Sequence, residues 1–249
     1  MVHAEYRRIV ANADTAVLFI HGIIGTPNHF RELIPLEQAV PEDWSVWNLL
    51  LPGHGGTAED FGRSSMEEWR SCVRSAFEEL AQMHRQVIIA AHSMGTLFAV
   101  QLTVDYPEKV PLLFLLGVPM RPFVRPRMML DSLCMVYGTL PEDHVLWKAG
   151  SVKLTRKLWK YLSWIPRYLE LFGEIRRTEM LLGQLKVPCI AWQSGKDELV
   201  ANVSRRVLER SGAMEVRCLQ DSTHFSYTPQ DQKTVCRVFE ARIKKISHD

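Results

Sequence analysis

Gln86-Val-Ile-Ile-Ala-Ala-His-Ser-Met-Gly-Thr-Leu-Phe-Ala-Val100 is the stretch on which the fold turns. Val87 to Ala91 is an apolar run that reads as a buried strand. His92-Ser93-Met94-Gly95 has room only for a tight turn, and from Thr96 onward Leu97, Val100 and Val104 fall on one helical stripe. Strand, sharp turn and helix therefore follow one another, with Ser93 at the apex. Backbone at such an apex tolerates little bulk two positions to either side, and Ala91 and Gly95 are both small. The N–H groups that open the helix have no intrahelical acceptor. They face whatever the serine hydroxyl approaches, and their dipole favours a developing negative charge. A serine that merely caps the helix is the competing reading.

The 249 residues are 47% hydrophobic and 23% charged, ordinary for one large globular domain or one domain with an insertion. A formal charge of +2 gives no electrostatic case for nucleic acid. Cys72, Cys134, Cys189, Cys218 and Cys236 are scattered and have no metal-ligand spacing. They fit reduced, mostly buried thiols in a cytoplasmic protein. Met1 to Val10 is polar, and the first apolar run, Ala16 to Ile20, is too short for export or spanning, so no stable membrane insertion is expected.

Outward from the central stretch, Thr15 to Ile20, Trp44 to Leu51, Leu112 to Leu116, Val187 to Gln193 and Met214 to Leu219 read as strands, with a weaker one over Glu5 to Val10. Helical patterning covers Pro27 to Val40 with a break at Pro35, the elbow segment as far as Tyr106, Asn202 to Arg210, and Thr228 to Ile246 with Pro229 in its first turn. Ser64, with Glu67 three residues on, reads as the capping box of a helix whose stripe is Met66, Trp69, Cys72, Val73, Ala76, Phe77 and Leu80. Continuous apolar strands separated by amphipathic helices imply an α/β fold, a mostly parallel sheet covered on both faces. The alternation stops over residues 120–186. That stretch reads as short helices inserted between two strands, a helical lid on a core of 1–119 and 187–249. Its basic residues outnumber acidic ones about two to one, read as a solvated outer face in preference to attraction of an anionic substrate or membrane surface.

A serine hydroxyl attacks an ester only with a base in reach and a group that orients the base. Loops at strand ends supply candidates: Ser93, Asp197 in Ser194-Gly-Lys-Asp, and His224 in Asp221-Ser-Thr-His-Phe225. Ala91-His-Ser-Met-Gly95 resembles the G-x-S-x-G nucleophile elbow of α/β hydrolases, with alanine at the first glycine, and the order Ser, Asp, His is that family's order. His21-Gly-Ile-Ile-Gly25 resembles the family's H-G-x-x-G loop and Pro52-Gly-His-Gly55 its P-G-H-G segment. The likeness is closest to carboxylesterases and monoacylglycerol lipases, of the group often labelled serine aminopeptidase-like.

The resemblance implies the α/β-hydrolase fold, catalytic Ser93, Asp197 and His224, and oxyanion N–H groups on Ile23 and Met94. It also implies no cofactor, no metal and a small acyl ester substrate. Ile24, His92, Met128, Met135, Tyr137, Trp164, Val200 and Phe225 are the expected pocket lining. His54 is expected to shape its loop and His21 to be structural. A plain turn needing Gly22 and Gly25 for positive φ is the alternative reading of the first loop. Glu198 is expected to point away from the site, Asp221 to shape the base loop and His92 to face away from the base. His3, His29, His84, His144 and His248 carry no carboxylate motif. Acyl transfer, amide or thioester hydrolysis and carbon–carbon cleavage stay open as reactions of the same scaffold, as does a non-catalytic ligand-binding receptor. The sequence does not indicate the oligomeric state.

Overall fold

The computed structural model describes residues 3–246; His248 and the first two residues of the polar N-terminal stretch lie outside the described residues. The apolar runs pair into one sheet of seven strands: β1 (Tyr6–Arg8), β2 (Thr15–Ile20), β3 (Ser45–Asn48), β4 (Gln86–His92), β5 (Leu113–Leu116), β6 (Cys189–Ser194) and β7 (Glu215–Leu219). Their spatial order is β1-β3-β2-β4-β5-β6-β7, with β1 antiparallel to β3 and every other pair parallel. Ile20 lies opposite Ala91, His92 opposite Leu116, Leu116 opposite Trp192, and Ser194 opposite Leu219. The parallel strands thus end along one edge, where open α/β sheets place their sites.

The two-residue period of the strands divides the interior into two cores. Leu18, Ile20, Ile89, Ala91, Leu113 and Leu115 face one side; Val17, Phe19, Ile88, Ala90, Phe114 and Leu116 face the other. The first core is closed by α2 (Met66–Met83) and α3 (Met94–Asp105), with help from α6 (Ile165–Leu181) and α7 (Val203–Ser211). The second is closed by α8 (Pro229–Ile246), whose Val235, Phe239 and Ile243 lie one turn apart; the Phe239 ring meets Phe114 edge-on at 5.1 Å. Helix α3 is buried on every side from Met94 to Thr103, which explains its lack of a polar face.

Between β5 and β6 the chain leaves the sheet. Residues 120–186 carry α4 (Pro126–Tyr137), α5 (Leu146–Ala149) and α6, with 3-10 turns at Leu158–Trp164 and Leu182–Gln184. Proline lies in the first turn of both α4 and α6. At 17 residues, α6 is longer than the short helices expected, because Leu171, Ile175 and Thr178 pack it onto the core. The first residues of the insertion run antiparallel to the loop after β6. Phe123 N–H donates to Leu199 O at 2.8 Å and Arg125 N–H to Glu198 O at 2.9 Å. Among the described residues no helix is long and apolar enough to cross a membrane.

Several local expectations need correction. Pro27 to Val40 forms only two 3-10 turns, Pro27–Phe30 and Glu37–Ala39. Phe30, Ile34 and Leu36 are buried there as expected, but Pro35 leaves no room for a full helix. A short α1 (Ala58–Arg63) precedes α2, opened by a capping box of Thr57 and Asp60. Ser64 closes α1, its hydroxyl donating to Phe61 O at 2.7 Å. Ser65, not Ser64, caps α2, accepting from Glu68 N–H at 3.1 Å, so the cap lies one residue beyond the expected position and is a single N-cap bond. Cys189 is buried, whereas the other four thiols are half-buried on helices or the edge strand.

Candidate active site

Ser93 adopts φ +51° and ψ −126°, a conformation costly for any residue with a side chain. Its surroundings enforce it. Ser93 N–H donates to Leu116 O at 2.8 Å, while Ser93 O accepts from Thr96 N–H at 2.9 Å and from the Thr96 hydroxyl at 2.6 Å. The small neighbours are required by space: a Cβ on Gly95 would lie 2.5 Å from Ile20 O, and one on Gly22 would lie 2.7 Å from Ser93 Cβ. Neither Gly22 nor Gly25 has positive φ, so the expectation for that loop is corrected. The residue in the left-handed region is Ile24, at φ +58°. A β-branched residue there is strained.

Two histidines hold the strained loop. Ile24 N–H donates to His54 Nε2 at 3.1 Å, and His54 Nδ1 faces Pro52 O at 3.1 Å. Leu51 N–H donates to His21 Nε2 at 3.1 Å, and His21 Nδ1 faces Gly22 O at 2.8 Å. Each ring accepts at Nε2 and donates at Nδ1, which requires the neutral form. Burial agrees: it pushes His21 down to about 4 and His54 well below the usual histidine value. Both are therefore structural, as expected. Ile23 N–H, next to this anchored turn, meets no acceptor among the described residues.

Across the sheet edge, Asp197 and His224 are both almost fully buried. His224 Nδ1 lies 2.9 Å from Asp197 Oδ2, and Asp197 Oδ1 accepts from Leu199 N–H and Val200 N–H at 2.8 Å each. The carboxylate is locked in a turn and fixes the ring tautomer, leaving Nε2 as the free base nitrogen. Burial alone would push the His224 imidazole down. The charge and hydrogen bond of Asp197, with the nearby charge of Glu198, outweigh it and hold His224 above the ordinary value.

Ser93 and His224 line one cavity with Gly22, Ile23 and, from the insertion, Ala149; its volume is about 20 Å³, room for roughly one water molecule. His92 and Phe225 also border it. The other expected lining residues lie elsewhere. Met128 and Met135 pack with Leu146, Leu199 and Phe225 in a small cluster that meets the cavity only through Leu199 and Phe225. Val200 is buried and supplies an N–H to Asp197, Ile24 sits at the bend of its loop, and Tyr137 is exposed on α4. Trp164 is a core residue, its indole N–H donating to Ala58 O at 2.7 Å.

Two residues set aside as bystanders belong to the site's surroundings. The His92 ring is 4.6 Å from that of His224 and stacks on His29 at 3.7 Å, so it does not face away from His224. Glu198 does not point away either: its Oε2 accepts from His224 N–H at 2.9 Å. Tyr227 and His29 complete this layer, their Oη and Nε2 lying 3.3 Å apart. None of the four carries a local sequence signal, because each contact joins separate loops. Asp221 pairs with Lys196 at 2.8 Å, joining the loops that carry Asp197 and His224. Among the described residues no three His, Cys, Asp or Glu side chains converge as metal ligands would.

Residues 17–238 match the model of the alpha/beta hydrolase family. The thermostable monoacylglycerol lipase of Bacillus sp. (strain H-257) is 30% identical over 39% of this chain. The dihydrolipoyllysine-residue acetyltransferase component of the acetoin cleaving system of Cupriavidus necator is 34% identical over 44% of it. The matched stretches span 38% and 28% of those two relatives. A solved structure from work on LipS and LipT, two metagenome-derived lipolytic enzymes, superposes with a TM-score of 0.73 at 19% identity, covering 98% of each chain. With the seven-stranded sheet, the serine at its strained β4–α3 junction and a family match along most of its length, this chain belongs to the alpha/beta hydrolase family.

Proposed function

We propose that the protein is a serine hydrolase that cleaves carboxylic esters of short- to medium-chain acyl groups or monoacylglycerols through an acyl-enzyme. The observation that carries this reading is the Asp197–His224 pair, buried and 2.9 Å apart, on the cavity that also holds Ser93. In this scheme His224 Nε2 takes the Ser93 proton as Oγ adds to the substrate carbonyl. The oxyanion is received by Ile23 N–H and Met94 N–H, an arrangement typically worth about 3 kcal/mol per donor. His224 then protonates the leaving alcohol. Water, deprotonated by the same ring, releases the acid and regenerates Ser93. No metal or organic cofactor enters any step.

A cavity of about 20 Å³ cannot admit an ester, so residues 120–186 serve as a lid that opens for substrate. Leu162, Leu169 and Met180 on that insertion are exposed apolar side chains. The likeness to an acetyltransferase component favours one second reading, transfer of the acyl group to an acceptor other than water. Product analysis with and without nucleophilic acceptors separates the two. Ser93→Ala is expected to abolish p-nitrophenyl ester hydrolysis and fluorophosphonate labelling while leaving the unfolding midpoint unchanged. Labelling or turnover that survives this substitution rejects the assignment.

A further inference from the structure

We infer that Glu198 is a positioning residue for His224: its carboxylate ties the base loop to the acid loop through the His224 peptide N–H and sets a second negative charge beside the imidazole. The inference rests on the hydrolase reading above. Asp197 contacts the ring, and Glu198 contacts the backbone of the same residue, with Oε2 accepting from His224 N–H at 2.9 Å and Oε1 from the Thr223 hydroxyl at 3.3 Å. Adjacent residues of one turn thus grip both the side chain and the main chain of the base. Glu198 is itself held, because its carbonyl accepts from Arg125 N–H at 2.9 Å where the insertion leaves the sheet. A hydrogen bond from a main-chain N–H to a carboxylate is charge-assisted and directional.

The groups that face His224 are few. Asp197 and Glu198 come from the acid loop. Ser93 and His92 come from the elbow, with His29 stacked behind His92, and Tyr227 from the base loop donates to His224 O at 3.3 Å. Burial keeps His92 and His29 well below the usual histidine value and Tyr227 well above the usual phenol value, so all three are neutral near pH 7. The charges that face the imidazolium formed during acyl transfer are therefore those of two carboxylates. Glu198 is half-buried and its field is partly screened, which makes its effect smaller than that of Asp197.

Glu198→Gln keeps an acceptor for His224 N–H and removes the charge. In that variant, histidine-labelled NMR should show the His224 midpoint moved to lower pH. The acid limb of kcat/KM should move the same way. The plateau kcat should fall about three- to tenfold with KM within about twofold, a pKa unit being tenfold in proton affinity. Glu198→Ala, which loses the tie as well, should lose more kcat at an unchanged fold by circular dichroism. A Glu198→Gln protein with the wild-type His224 midpoint and wild-type kcat overturns the inference, since full rescue by the amide means loop packing alone. The titration needs no turnover, and fluorophosphonate labelling of the wild type decides the hydrolase reading separately. A shifted midpoint in an unlabelled protein upholds the contact and sinks only the hydrolase.

Discussion

Asp197 does two jobs with two oxygens. Oδ1 accepts two peptide N–H groups and Oδ2 faces His224 Nδ1. Asp197→Asn preserves the first and corrupts the second, because an amide N–H turned toward Nδ1 favours the wrong ring tautomer. We expect kcat to fall by about 10⁴ with little change in the urea midpoint, as carboxylate-to-amide changes do in such triads. A loss below about tenfold would mean that the ring is oriented by something else. The loops that carry Ser93, Asp197 and His224 were legible from turn chemistry, and the structure brings Asp197 to 2.9 Å from His224 and sets Ser93 and His224 on one cavity. Glu198 and His92 were misread because the direction in which a side chain leaves a tight turn depends on what packs above it. The left-handed φ of Ile24 was not legible at all, since the partners that hold it are far along the chain: His54 accepts its N–H and Ser151 N–H donates to its carbonyl at 3.0 Å.

Among the elements, the join between the insertion and the core carries a buried polar cluster beside its apolar contacts. Glu174 on α6 is buried and pairs with Arg70 of α2, while Gln101 of α3 donates to its other oxygen at 2.8 Å. Arg70→Ala leaves that carboxylate buried without its cation. A cost of about 3–5 kcal/mol is expected in urea unfolding, recovered in part by adding Glu174→Gln. A cost below about 1 kcal/mol would show that water reaches the carboxylate freely. Strands β2, β4, β5 and β6 could be read almost to the residue, because burial on both faces makes them continuous apolar runs. Residues 27–40 could not, since apolar residues at 3-10 and helical spacing look alike over a few positions.

For the whole molecule, the buried histidines set the response to acid. Unfolded, they take up protons as pH falls through 6.5; folded, His21 does so only at about 4, and His29, His54 and His92 well below 6.5, because burial disfavours the charged ring. The unfolded chain therefore binds more protons across that window. Stability is lost as pH drops from 6.5 toward 4, by up to about 1.4 kcal/mol per pH unit from each ring. His224 has the opposite sign. Its raised value adds stability below the unfolded value, lost as pH rises through the folded one, and one ring does not offset four. Urea midpoints near pH 7.5 and about pH 5 check this; equal midpoints would mean that the rings are not held neutral.

From the sequence alone came the order of the strands, the serine at the β4–α3 turn, the loops after β6 and β7 and the break in alternation between β5 and β6, because each leaves a local trace in periodicity, in small residues or in turn chemistry. The spatial order of the strands, the reach of Ala149 from the insertion to the cavity and the layer of Glu198, His92, His29 and Tyr227 around His224 belong to the tertiary structure. They are contacts between segments far apart along the chain, and a side chain carries no mark of a partner it meets only after folding.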